Sequence, residues 1–231
     1  MKETSYEKAF LDQFFTDGLK ITKVRADVAG ALEKYFSKAG KGFTGSQFEP
    51  LIENSDPFVI SERDLLAMTT LGVAIPERAA IWILSKDGQD KTSAILRDIP
   101  VDTDIWDPAV NEAFADDGKV MDLWRLLGEA NWPIAKTGGG LSGTTKRSKI
   151  LAAKRPRLIP VLDRVVKGTL PKTENSWIAI QDVLKDEKNR KALQKALDVE
   201  VVPFSVSLLR RIDIVIWTNN EKNFRRQGRL G

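Results

Sequence analysis

The stretch KILAAKRPRLIPVLDRVV, Lys149 to Val166, sets Lys149, Lys154, Arg155 and Arg157 ahead of a single carboxylate, Asp163, and follows it with Arg164. Basic side chains gathered over so short a length are suited to holding phosphate, and Pro156 and Pro160 cut the stretch into pieces. Upstream, AKTGGGLSGTTKRSKILAA carries glycines at 138, 139, 140 and 143, just before residues that read as a helix from about Thr144. Glycine allows close backbone approach, and the unpaired first-turn N–H groups of a helix point at whatever lies there, so this segment offers a phosphate seat. Lys146, Arg147 and Lys149 add charge beside it. The same residues also have a plain reading: a flexible loop, a solvated basic face, and an Asp163 that caps a helix and pairs with its basic neighbours.

The charge is unevenly spread. Lys136 to Lys172 holds ten Lys or Arg against one Asp, which leaves 26 basic against 31 acidic residues elsewhere in a chain of net charge +4. A local basic surface on an otherwise acidic protein points to a polyanionic partner. The chain has no cysteine and no histidine. Disulfides, iron–sulfur clusters, ordinary zinc and haem ligation, cysteine nucleophiles and His-based triads are therefore excluded, and no cofactor is expected. Gly138 and Gly143 have the spacing of a nucleotide-binding loop, but Thr144 and Thr145 follow where that loop needs Lys. No apolar run approaches a membrane span and MKETSYEKAFLDQFF lacks a secretory apolar core, so a cytoplasmic protein without a membrane partner is expected.

The apolar periodicity that must position these residues is helical. VRADVAGALEKYF puts Val24, Val28, Leu32 and Phe36 four apart; SERDLLAMTTLG opens on a Ser61 cap with Asp64 three residues later; PERAAIWIL begins with Pro76 in a favoured first-turn position. DKTSAILRDI, KVMDLWRLLGEA, SWIAIQDVL, NRKALQKAL and SVSLLRRIDIVIW continue the series. Only VEVVPF and the β-branched RIDIVIW invite a strand, and in the second Leu208, Leu209, Ile212 and Ile216 suit a helix better. The fold class expected is all-α: an N-terminal extension over 1–20, one helical domain over 21–218 that could form two lobes, and a basic flexible tail over 219–231. Asp213, within an apolar run, needs a partner, which Arg210 or Arg211 can supply. The loop KGFTGSQFE reads as a capped helix start with Phe43 and Phe48 as anchors, and the tryptophans at 82, 106, 124, 177 and 217 as core.

From Gly143 onward the pattern resembles the helix-hairpin-helix superfamily of DNA glycosylases. In that family a hairpin ending in Gly is followed by a helix, a turn often containing Pro, and an Asp heading the next helix. Here LSG ends at Gly143, the helix would run to about Lys154, RPRLIP makes the turn, and Asp163 stands twenty residues after Gly143. The blocks YFSKAGKGFTGSQFE, VAIPERAAIWIL, LWRLL and VSLLRRIDIVIW, from about Tyr35 to Trp217, are also similar to a family of actinobacterial proteins without an assigned activity. Leu141 stands where the hairpin's first glycine is usual, and Thr145 where lyase-type members carry Lys.

The resemblance implies a DNA-binding protein acting, if it is an enzyme, as a hydrolytic glycosylase without lyase activity. Glycosidic cleavage passes through an oxocarbenium-like state, so Asp163 would be the catalytic carboxylate that stabilises the cation and orients water. Gly143, Thr144, Lys146, Arg147, Lys149, Arg155, Arg157, Arg164 and Lys167 would hold phosphates around an extruded nucleotide. Trp132, Trp106 or Tyr35 would supply walls for the base. Two other readings stay open: a noncatalytic nucleic-acid-binding module, and a protein-interaction or toxin-type factor on the same scaffold.

Overall fold

The computed structural model describes residues 2–37, 42–129, 141 and 143–226. Among them are twelve α-helices and no strand, so the chain is all-α as its periodicity implies. They divide between two compact units. One is continuous, Thr44–Val161; the other is built from both flanks of it, Met1–Phe43 and Leu162–Gly231.

The flanking unit holds α1 (Lys2–Leu11), α2 (Asp27–Tyr35), α9 (Arg164–Thr169), α10 (Ser176–Lys185), α11 (Glu187–Ala196) and α12 (Leu208–Arg226). The 19-residue α12 is its axis, packing on α2 and α9 while α1 lies on α10. Val28 and Leu32 of α2, Val165 and Val166 of α9, and Ile212, Ile214, Val215 and Ile216 of α12 are buried there. RIDIVIW is thus helical: its apolar residues cover nearly all sides of α12 because helices pack on more than one of them.

The first twenty residues are more than an extension. Tyr6 and Phe10, one helical turn apart on α1, are buried with Leu11 and with Phe14 and Phe15 just beyond the helix end. Val24 does not join α2; it pairs with Phe15 in an isolated antiparallel bridge, and the Thr16 N–H donates to the Lys23 carbonyl (2.8 Å). The turn between them holds Ile21 at φ 49°, a conformation disfavoured for a β-branched residue. At the other end, α12 runs on to Arg226, seven residues past the start of the expected tail at 219.

The continuous unit holds α3 (Phe48–Ile52), α4 (Glu62–Thr70), α5 (Glu77–Leu84), α6 (Lys86–Arg97), α7 (Lys119–Glu129) and α8 (Thr144–Lys154). Ser61 and Asp64 form the expected reciprocal cap on α4. Pro76 sits one residue earlier than expected, at the N-cap of α5. A 3₁₀ turn, Thr44–Gln47, leads into α3, and Phe48 anchors it against Ala67 and Ala153. α8 packs against α3, α4 and α7, and every residue from Ser148 to Lys154 is buried. A helix enclosed on so many sides is a core element, and two of those seven buried residues are lysines.

Candidate nucleic-acid interface

α8 begins and ends where the sequence indicates, at Thr144 and Lys154. Gly143 precedes it at φ 89°, ψ 148°, a backbone setting natural to glycine. No side chain caps this N-terminus and its first turn holds no acid. Lys146 is partly exposed in that turn. Arg147, half-buried, lays its guanidinium over the Trp124 ring, 4.2 Å from the centroid, and donates from Nη1 to the Trp124 carbonyl (3.2 Å). Burial holds the Arg147 pKa below the ordinary arginine range. Gly138 to Gly140 lie outside the described residues, as does Trp132.

The middle of the basic run is internal. The Lys149 ammonium donates to the carbonyl of Leu71, the C-cap of α4 (2.7 Å). The Lys154 ammonium meets the Asp64 carboxylate (2.5 Å) and donates to the Asp56 carbonyl (3.0 Å). Asp64 accepts on the same oxygen from the Ser61 N–H (2.7 Å) and hydroxyl (2.9 Å), so the lysine closes a cap that the sequence already marks. Desolvation pulls the Lys154 pKa down against the attraction of Asp64.

Arg155 is 1% exposed and, among the described residues, donates to backbone carbonyls: Ile99 from Nε (3.0 Å) and Nη2 (2.7 Å), Pro57 and Lys154 from Nη1 (2.7 and 2.8 Å), and Leu96 from Nη2. Leu96 closes the last turn of α6, where unpaired carbonyls and the helix dipole favour a cation. Burial pushes the Arg155 pKa down to about 10, which leaves it charged at neutrality. Lys149 and Arg155 were expected to face phosphate, and this is corrected: they are buried and bonded to carbonyls within the continuous unit.

Arg157 is exposed and grips Asp104 with two parallel bonds, Nε to Oδ1 (2.9 Å) and Nη2 to Oδ2 (2.6 Å). The pair raises its pKa, chiefly through that hydrogen bond. Asp163, Arg164 and Lys167 belong to the other unit. Asp163 is the N-cap of α9, its Oδ1 accepting from the Val166 N–H (2.9 Å), and it is partly exposed; Arg164 and Lys167 are exposed. Of the expected phosphate contacts, Gly143, Thr144, Lys146 and Arg147 thus come together at one helix start, while Arg164 and Lys167 share α9 with Asp163.

The expected base walls fare unevenly. Tyr35 is buried, its ring near the Arg210 guanidinium and its hydroxyl accepting from Arg210 Nη2 (2.5 Å), so it offers no open face. Arg210 also pairs with Asp213, which answers the need of that buried carboxylate. Trp106 is half-buried. Trp124, read as core, instead carries Arg147, and Gly128 one turn later leaves the guanidinium room: a Cβ there would lie 2.8 Å from Nη1. The visible signal was a Trp and a Gly four apart on one predicted helix face.

No curated protein matches the chain, and no solved structure does either. One family does match, over residues 28–220, which take in all but the first residue of α2, the helices α3 to α11 and most of α12. The chain therefore belongs to the DUF6308 family, a family of unknown function.

Proposed function

We propose that this is a DNA-binding helical protein of helix-hairpin-helix type, meeting phosphate at the first turn of α8. One observation carries the reading: Gly143, at positive φ, opens an eleven-residue helix with no side-chain cap, no acid in its first turn, and Lys146 and Arg147 within it. Such a turn combines oriented N–H donors with positive charge. The test is the salt dependence of binding to a labelled duplex. Lys146→Ala is expected to weaken binding evenly across sequences and to shallow the salt slope by about one unit. Absence of binding at low salt overturns the proposal.

A hydrolytic glycosylase is the second reading, and the order of elements supports it: α8 from Gly143 to Lys154, a turn with Pro156 and Pro160, then Asp163 heading α9. Asp163 would stabilise an oxocarbenium-like state. Asn is as good a cap as Asp, so Asp163→Asn keeps the Val166 contact while removing the charge. On duplexes carrying modified bases, excision by the native protein that Asp163→Asn abolishes, with DNA affinity unchanged, is the expected result. If no base is excised, the noncatalytic module remains.

A further inference from the structure

α5 is apolar on two sides. Ala79, Trp82 and Ile83 turn inward and are buried, and the helix packs on α6. Ile81 and Leu84, three residues apart on the opposite side, are 51% and 37% exposed. A helix apolar all round is normally enclosed, and this one is open along that stripe. At its start Glu77 and Arg78 are exposed and make no ion pair among the described residues. At its end the chain turns at Ser85, which caps α6, and Gly88 comes so close to α5 that a Cβ there would lie 1.9 Å from the Trp82 carbonyl. That tight corner fixes Lys86 and Asp87, both exposed, at the far end of the stripe. The Trp82 indole N–H donates to Asp87 (3.2 Å), and Arg78 lies one turn before Trp82, so Arg78 and Asp87 rim the same edge of the stripe.

We propose that this face of α5 is where the chain associates with a second copy of itself, the two helices lying antiparallel about a two-fold axis between Ile81 and Leu84. The charges select this occupant. Such an axis reverses the ends of the helix and sets each edge against its own counterpart, as an isologous contact requires. Ile81 of one copy then faces Leu84 of the other, and Arg78 faces Asp87, each contact occurring twice. Asp87 already holds Lys91 (2.9 Å), but that pair is exposed and contributes little, so the carboxylate is free to take the arginine as well. A stripe with a charge of each sign at both ends, Glu77 and Arg78 at one and Lys86 and Asp87 at the other, complements itself; it does not complement a partner of a single sign such as a nucleic acid. The stripe is short, which makes the contact small and reversible rather than obligate. It involves no part of α8 and stands apart from the DNA reading.

The experiment is sedimentation velocity of the full chain from about 1 µM to about 300 µM, the range in which a small interface associates. Native protein is compared with Ile81→Glu, Arg78→Asp, Asp87→Arg and Phe204→Ser, each first checked for native circular dichroism. The native chain is expected to pass reversibly from monomer to dimer, and Ile81→Glu to stay monomeric throughout. Arg78→Asp and Asp87→Arg each set like charges against each other twice and should weaken association about tenfold or more. An equimolar mixture of those two variants should recover it, because in the mixed pair the two introduced charges meet each other and the two native ones do the same. Phe204, fully exposed in the other unit, is the control, and Phe204→Ser should associate like the native chain. A native chain that remains monomeric, an Ile81→Glu variant that dimerises normally, or a mixture no better than its components overturns the proposal. A monomeric chain that binds phosphatidylcholine vesicles through Ile81 assigns the face to a lipid surface and overturns it too.

Discussion

The first turn of α8 and its last turn carry the same kinds of side chain and do opposite things. Lys146 and Arg147, at the start, are partly open and have no carboxylate partner among the described residues. Lys154 and Arg155, at the end, are buried and tied to Asp64, Asp56, Pro57, Leu96 and Ile99. Positive charge in a sequence therefore says nothing about which way it faces. At one end of the helix it stays partly open to solvent, and at the other it closes the carbonyl ends of neighbouring segments, as the ion-pairing and dipole rules favour.

The comparison is broken most severely at Arg155. Arg155→Ala strips the bonds from four backbone carbonyls and opens a cavity, and a loss of about 3–5 kcal/mol is expected in denaturant unfolding. A duplex-binding defect in that variant would report unfolding and not phosphate contact. Lys154→Met leaves the Asp64 carboxylate buried beside an apolar side chain and is expected to lose about 3 kcal/mol or more. Adding Asp64→Asn should restore much of it, because the buried charge goes and the amide oxygen can still serve Ser61.

Smaller effects sharpen the contrast. Asp163→Ala should cost about 1 kcal/mol through the lost cap of α9, while Asp163→Asn should be close to native in the same unfolding experiment. Arg157→Ala, removing an exposed pair, is expected to cost about 1 kcal/mol or less, with the difference shrinking in added salt. A larger loss there would mean that Arg157 belongs with the buried end of the basic run.

Local patterns were legible in the sequence, and distant ones were not. The limits of α8, the Ser61 and Asp64 cap and the Arg210 to Asp213 pair all depend on residues a few positions apart, where spacing alone brings groups into reach. The burial of Lys149 and Arg155 depends on carbonyls of Leu71, Pro57, Leu96 and Ile99, between 56 and 98 residues away. A carbonyl acceptor is present at every position and so leaves no mark in the sequence. The packing of α1 did leave one, in the four-residue spacing of Tyr6, Phe10 and Phe14, but a stretch expected as an extension hid it. The stacking of Arg147 on Trp124 needed both effects: Trp124 and Gly128 share a helix face, while their juxtaposition with α8 is a tertiary fact.

The connectivity of the two units also sets a timetable for synthesis. The continuous unit, Thr44–Val161, is complete once its last residue has left the ribosome, whereas the other waits for α12 to meet segments made before the continuous unit. Domains generally fold as the chain emerges. On that schedule Tyr6, Phe10 and Phe14 are apolar side chains awaiting their partners throughout translation of the continuous unit. A ribosome stalled after Val161 has cleared the exit tunnel but before α12 has emerged would therefore hold one folded unit and one flank of unpartnered apolar side chains, the form in which this protein is most exposed to chaperones and to aggregation.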